Sequence, residues 1–324
     1  MSEYVFNHAC VTLLIPSVDT ARTHLAELLR GMATFEAEED ALPVLRLDSN
    51  PWLYSIAEGS NGRTFSIAEI ALQMYETDDH DVATFFEALV TAVPSDKGLD
   101  ELSIESILRI EPSGPAAGVE DAYESTLAAG IDGILCALTG FMLVSLPTTE
   151  LWQFDMMGFQ VTGESYYFDH IANSHHAIAI RSRRTTALRG TLRHNNFWSL
   201  RTLAFPHLKF GLDFEDQIRR FNPIYFGLAL KRLAELDERA RKWKESETGG
   251  FPEGATPITD ETEQTMKRYG DARRFTGHDG ITRTFEEHMW IDPGNRIHLI
   301  RHTAEKVVEV GYVGKHLPTM NYRT

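Results

Sequence analysis

The chain has 324 residues, 43% apolar and 24% charged, a balance that excludes disordered, collagen-like and multi-spanning membrane proteins and fits two or three globular domains. The two cysteines, Cys10 and Cys136, sit in apolar runs and read as buried thiols, nothing suggests a secreted disulfide framework, and a chain of this length builds a core without staples. The net charge of −16 hides a partition: residues 1–180 carry 6 Lys and Arg against 28 Asp and Glu, and residues 181–324 carry 25 against 19, so phosphate is expected to meet the second part and be repelled by the first.

The opening MSEYVFNHACVTLLIP is acidic before it is apolar and lacks a basic leader, so no secretory signal is expected. Tyr4–Ile15 reads as a strand stopped by Pro16. Ser17 or Asp19 caps a helix with Ala21, Leu25, Leu28 and Leu29 on one face and Gly31 as its terminator. Residues 33–51 read as acidic and irregular. Helices are expected at Ser66–Tyr75 and Asp78–Val93, the second ended by Pro94, and Pro112–Gly118 (PSGPAAG) reads as a linker.

Beyond it, Glu120–Ala129 is helical in pattern. Ile134–Leu146, Leu151–Met156, Phe159–Phe168 and Ala177–Arg183 read as successive strands, joined too closely for crossover helices and therefore antiparallel. The apolar run Ile134–Leu146 falls well short of the ~20 residues that cross a bilayer, so no membrane partner is expected and the location expected is cytoplasmic. Asp169, His170, His175 and His176 are metal-ligand types. Adjacent His175 and His176 would point to opposite faces of a strand, so no metal site is assigned.

A helix starts at Leu212 or Asp213, is interrupted at Asn222-Pro223, and restarts there, Asn being a favoured cap and Pro a favoured first residue. Its second piece, to about Lys244, places Ala229, Leu233, Leu236, Ala240 and Trp243 on one stripe. Thr259-Asp260 with Glu263 opens a shorter helix to Arg273. From Thr276 the chain reads as three strands. The DPGN turn (Asp292–Asn295) precedes a strand whose alternation puts Arg296, His298, Ile300 and His302 on one face and Ile297, Leu299 and Arg301 on the other. Glycines in GYVGKH permit a close backbone approach. The chain lacks a P-loop, GxGxxG, HExxH, nucleophile elbow and CxxC, which removes support for ATP hydrolysis, dinucleotide redox and zinc-protease chemistry.

These elements resemble the RelE/ParE/HigB toxin superfamily: a strand at Leu200–Phe210, helices at Phe214–Lys244 and Asp260–Arg273, and a sheet at Ile281–Gly314. The phrases RRFTG…TFEEHMWI, NRIHLIRH and VVEVGYVGKH are similar to the late strands of that family. The long loop and the Asn222-Pro223 break depart from its compact pattern. The expected class is α+β: a mixed N-terminal region at 1–115, a central antiparallel β-rich region at 119–190, and a RelE-like β-α-α-β-β-β module at 195–324. Ribonuclease members cleave RNA with Lys, Arg, His and Tyr on the sheet, whereas others bind gyrase and cleave nothing.

The resemblance implies a toxin-like or defence-associated protein whose module acts on RNA or the ribosome, restrained by the acidic N-terminal region. The activity implied is a metal-independent endoribonuclease that uses no cofactor. His288, His298 or His302 would serve as base or acid, Arg296, Arg301 or Lys315 would hold phosphate, and Tyr312 would stack on a base; the site expected is His288, His298, Arg301, Tyr312 and Lys315. The alternative is a non-enzymatic scaffold binding a protein partner.

Overall fold

The structure, a computed structural model, describes residues 2–36, 43–47, 49–93, 97–246 and 249–320. The chain divides into two units, Met1–Arg183 and Arg184–Thr324. In chain order the first contains β1 (Glu3–Phe6), a 3₁₀ turn at His8–Val11, α1 (Val18–Glu36), β2 (Val44–Arg46), β3 (Ser55–Glu58), β4 (Thr64–Ser66), α2 (Ile67–Gln73) and α3 (His80–Ala88). Then come β5 (Val90–Val93), α4 (Glu101–Arg109), β6 (Gly114–Pro115), α5 (Tyr123–Thr139), β7 (Met142–Val144), β8 (Met156–Val161), β9 (Glu164–Ile171) and α6 (Ser174–Thr191), within which the boundary falls.

The strands of the first unit form one sheet in the order β5-β2-β1-β7-β9-β8-β6, with β3 and β4 apart as a hairpin. The run from β5 to β9 is parallel, and β8 joins it antiparallel to both β9 and β6. Tyr4, Val5, Phe6, Leu143 and Val144 are wholly buried, which is what parallel strands covered on both faces require. Ser66 caps α2 through a reciprocal capping box with Glu69.

Several segments differ from expectation. The first strand ends at Phe6, because Asn7 caps the 3₁₀ turn by accepting from the Ala9 amide. Gly31 does not end α1. The helix runs on to Glu36, and Gly31 lets it approach the end of β9, where a Cβ would lie 2.7 Å from the Asn173 carbonyl. Val90–Val93 forms a strand after α3, and the expected stop at Pro94 lies outside the described residues. Ile134–Leu146 is split by Gly140 into the end of α5 and the strand β7. Ala177–Arg183 is helical, since Asn173 accepts from the His176 amide and starts α6. The central strands therefore do not make a separate antiparallel sheet: β7 and β9 are parallel members of the sheet that β1 begins. The α+β class itself stands.

The second unit contains α7 (Phe197–Ala204), β10 (Leu208–Phe210), α8 (Phe214–Arg220), α9 (Pro223–Glu245), β11 (Ile258–Asp260), α10 (Glu263–Tyr269), β12 (Arg274–Thr276), β13 (Thr282–Thr284), β14 (Glu287–Asp292), β15 (Asn295–His302) and β16 (Val307–Lys315). Its sheet runs β10-β16-β15-β14-β11, with β10 parallel to β16 and the remaining pairs antiparallel. Asn222 caps α9 with Pro223 behind it, and Ala229, Leu233, Leu236, Ala240 and Trp243 are buried against Met289, Ile297, Leu299 and Val310. Only Leu208–Phe210 of the expected strand Leu200–Phe210 is extended, because Phe197–Ala204 winds into α7. Thr262, rather than Thr259 or Asp260, caps α10; Ile258–Asp260 pairs with β14 instead.

Candidate functional site

Alternation along β15 builds two unlike faces. Ile297 and Leu299 enter the core under α9, and Arg296, His298, Ile300 and His302 share the opposite face. On β16, a bulge at Gly311 resets the alternation, with His298 opposite Tyr312 and Leu299 opposite Val310. Val308, Val310 and Val313 stay in the core, while Glu309 and Tyr312 join the polar face. A Cβ on Gly311 would sit 2.5 Å from the Phe285 ring, so only glycine allows this close approach.

The expected residues fall into three places. His288, His298 and Tyr312 lie in register across β14, β15 and β16, with ring centroids 5.4 Å and 5.6 Å apart. His298 is 1% exposed and donates Nδ1–H to the Phe285 carbonyl at 3.0 Å; burial, then His288, lowers its pKa to about 3. Burial also lowers His288, which shares a hydrogen bond with Thr259 at 3.1 Å. Tyr312 stacks on Phe275, and burial raises its phenol. Arg301 stands on the opposite face, ion-paired with Glu287 beside an open cleft of about 360 Å³ that Trp243, Phe251 and Lys306 help to line. Lys315 is exposed at the end of the ladder opposite Asn295, its carbonyl accepting from the Tyr312 hydroxyl at 2.8 Å.

Near the row lies a buried ion pair. Arg273, 0% exposed, donates to Glu261 at 2.6 and 3.0 Å, and Glu261 is 3.6 Å from His288 Nδ1. Glu261, His288 and His298 bring one ligand atom each within 4.8 Å of one another. The Arg273 guanidinium already supplies the positive charge that a cation would bring, so this cluster is balanced as it stands.

A second cluster forms on the same polar face. Glu309 is wholly buried, and its two carboxylate oxygens serve two different histidines. His278 donates to Oε1 through its backbone N–H at 2.6 Å and through Nδ1 at 2.7 Å, and His302 donates Nε2–H to Oε2 at 2.9 Å. Burial pushes the Glu309 carboxyl up, but the His278 and His302 bonds outweigh it and leave the group below its ordinary value. Both imidazoles reach solvent, with side chains 40% and 26% exposed. Arg283 lies 3.9 Å from Glu309 and is paired with Asp279. His278, Asp279 and Glu309 also have ligand atoms within 4.8 Å of one another, with Arg283 again in the cation's place.

Of these residues only His302 stood out in the sequence. His278 and Arg283 lie in and beside a turn between short strands, and nothing local announces that the turn folds onto β16. Glu309 did carry a signal, as a lone carboxylate among valines in VVEV on a strand whose neighbours are buried.

In the first unit, His170 is wholly buried and donates Nδ1–H to the Phe154 carbonyl at 2.6 Å, and burial lowers its pKa to about 3. His176 is likewise buried, with Nε2 on the Gln153 carbonyl. Asp169 is paired with Arg183. Cys10 and Cys136 are free buried thiols, and burial pushes Cys10 up to about 12. No helix among the described residues is long and apolar enough to cross a membrane. Compared with protein-family models, with curated proteins and with solved structures, the chain matches none of them.

Proposed function

We propose that the second unit cleaves RNA by metal-independent general acid–base chemistry, with His278 and His302 as proton carriers. One observation carries this reading: a single buried carboxylate, Glu309, holds two solvent-reachable imidazoles, one on each oxygen. That arrangement fixes the proton of each ring on the nitrogen facing Glu309 and leaves His278 Nε2 and His302 Nδ1 for the substrate. A buried carboxylate orienting an imidazole is the standard support of a histidine base, and here one carboxylate orients two.

RNA cleavage uses two such groups. One ring takes the proton of the ribose 2′-hydroxyl as its oxygen forms a bond to phosphorus. The protonated partner ring gives its proton to the departing 5′-oxygen as that P–O bond breaks. The products are a 2′,3′-cyclic phosphate and a free 5′-hydroxyl, with no net change in protons. Arg283, 3.9 Å from Glu309, supplies charge for the phosphorane oxygens. The excess of Asp and Glu in the first unit, 28 against 8 Lys and Arg over residues 1–183, disfavours an anionic target there, so the reading rests on the second unit.

The test is cleavage of an end-labelled single-stranded RNA by the full chain in excess EDTA. His278→Ala and His302→Ala are each expected to lower the rate by about 10²–10⁴-fold while urea unfolding stays cooperative. Full activity in the double variant, or activity only with added Mg²⁺, overturns the proposal.

A further inference from the structure

We propose that a cleft in the first unit, at the carboxyl ends of β1 and β7, binds an uncharged, largely apolar small molecule. The sheet order places the site before any side chain is considered. From β1 the chain steps outward to β2 and β5, then returns through α4 and α5 to lay β7 on the other side of β1. The loops leaving the two central strands therefore diverge, and in open parallel sheets the crevice at such a reversal is where ligands bind.

The cleft found there has a volume of about 630 Å³, within the span of roughly 300–1,000 Å³ typical of small-molecule sites. Its walls come from the two diverging loops, including Ala9, Leu14 and Pro16 after β1 and Thr148 and Trp152 after β7, with His24 of α1 at the side. Bonds between the loops hold it open in a defined shape. The Asn7 amide donates to Ser145 Oγ at 2.9 Å, and the Thr148 hydroxyl donates to the Cys10 carbonyl at 2.9 Å. A preformed cleft spares a ligand the cost of ordering loops.

The lining selects the ligand class. Among the described residues no Lys or Arg lines the cleft, and the loop from Asn7 to Ser17 contains no glycine that could bring amides up to a phosphate. The charge balance of the unit also repels anions. Apolar walls with the hydroxyls of Thr12, Thr20 and Thr148 suit an uncharged body carrying one or two polar groups. His24 stands at the side of the cleft, and burial lowers its pKa, which favours the neutral ring. The buried Cys10 thiol, held protonated, makes this a binding site rather than a nucleophilic one.

The experiment titrates the full chain with Nile red, an uncharged dye whose emission rises in apolar surroundings. Saturable binding of one dye per chain is expected, unaffected by millimolar ATP. Thr12→Trp, at an exposed position on the rim, and Leu14→Glu, on the wall, are each expected to weaken it at least about tenfold without moving the thermal transition by more than a few degrees. Thr12→Trp adds bulk outside the core, so it separates blocking from misfolding. Absence of saturable binding, unchanged binding in Thr12→Trp, or displacement by ATP overturns the proposal.

Discussion

His170 and His298 are kept neutral by burial, each lowered from an ordinary 6.5 to about 3. Between those values the unfolded chain takes up protons that the folded chain refuses. The stability tied to the neutral rings is therefore complete above pH 6.5 and is lost as pH falls through that window. The loss is about 1.4 kcal/mol per pH unit for each ring. His298→Asn keeps a donor for the Phe285 carbonyl but cannot titrate, so urea unfolding from pH 7 to pH 4 is expected to show a shallower acid loss than the parent; an equal slope would remove His298 from the account. Glu309 behaves in the same direction for a different reason. Its carboxyl lies below its ordinary value, so its contribution is present above the unfolded pKa of about 4.3 and fades as pH drops through the folded one. Glu309→Gln puts an amide donor against one imidazole and breaks a buried bond, at a cost of about 1–3 kcal/mol. RNA cleavage is expected to fall by about 10²–10⁴-fold, as when a histidine base loses its orienting carboxylate. A rate loss no larger than the loss of folded protein would make the role purely structural.

At the scale of elements, Gly311 decides which side chains meet. Gly311→Ala drives a methyl into the Phe285 ring, and is expected to cost about 1–3 kcal/mol by overpacking in urea unfolding; a change below about 0.5 kcal/mol would mean that the strand relaxes freely. The cap on α9 offers a simpler case: Asn222→Ala removes the acceptor for the Ile224 amide, and a loss of about 1 kcal/mol is expected in the same measurement. The contrast between these two glycine and cap positions explains what could be read in the sequence. Asn222-Pro223 and the stripe from Ala229 to Trp243 are local signals, and the structure keeps both. Local signals also fixed the two faces of β15. The bulge is not local, since it depends on a phenylalanine that arrives 26 residues earlier in the chain. A strict period of two would have grouped Tyr312 with Val310 and left Glu309 alone. For the same reason no local signal marks β7 as parallel, because its neighbour β1 lies far away in sequence. Gly31 has the pattern of a helix end, whereas the fold uses it for close approach to Asn173, a partner distant in sequence. Of the expected residues, His288, His298 and Tyr312 share the polar face and Arg301 stands on the other, while the residues that 278–283 brings to that face carry no local signal.

At the scale of the whole molecule, charge is the property that separates the units. Residues 1–183 carry 8 Lys and Arg against 28 Asp and Glu, and residues 184–324 carry 23 against 19. The modest basic excess of the second unit means that few phosphates are neutralised on binding RNA. The salt dependence expected is correspondingly gentle, with log K falling against log salt by about 0.7 for each phosphate contacted on a single strand. A restraint exerted by the strongly acidic unit on RNA binding would be electrostatic. The field reaches about 10 Å at 0.1 M salt and about 3 Å at 1 M. The fragment 184–324, which has its own buried core of Phe197, Phe214, Leu233 and Leu299, is therefore expected to bind and cleave RNA better than the full chain at low salt. The advantage should shrink steadily as salt is added, because screening removes repulsion without touching the chemistry at His278 and His302. Measured side by side from 20 mM to 500 mM salt, two parallel lines would show that the acidic unit exerts no electrostatic restraint. Converging lines would show that the charge partition written in the sequence is itself a regulator of the second unit.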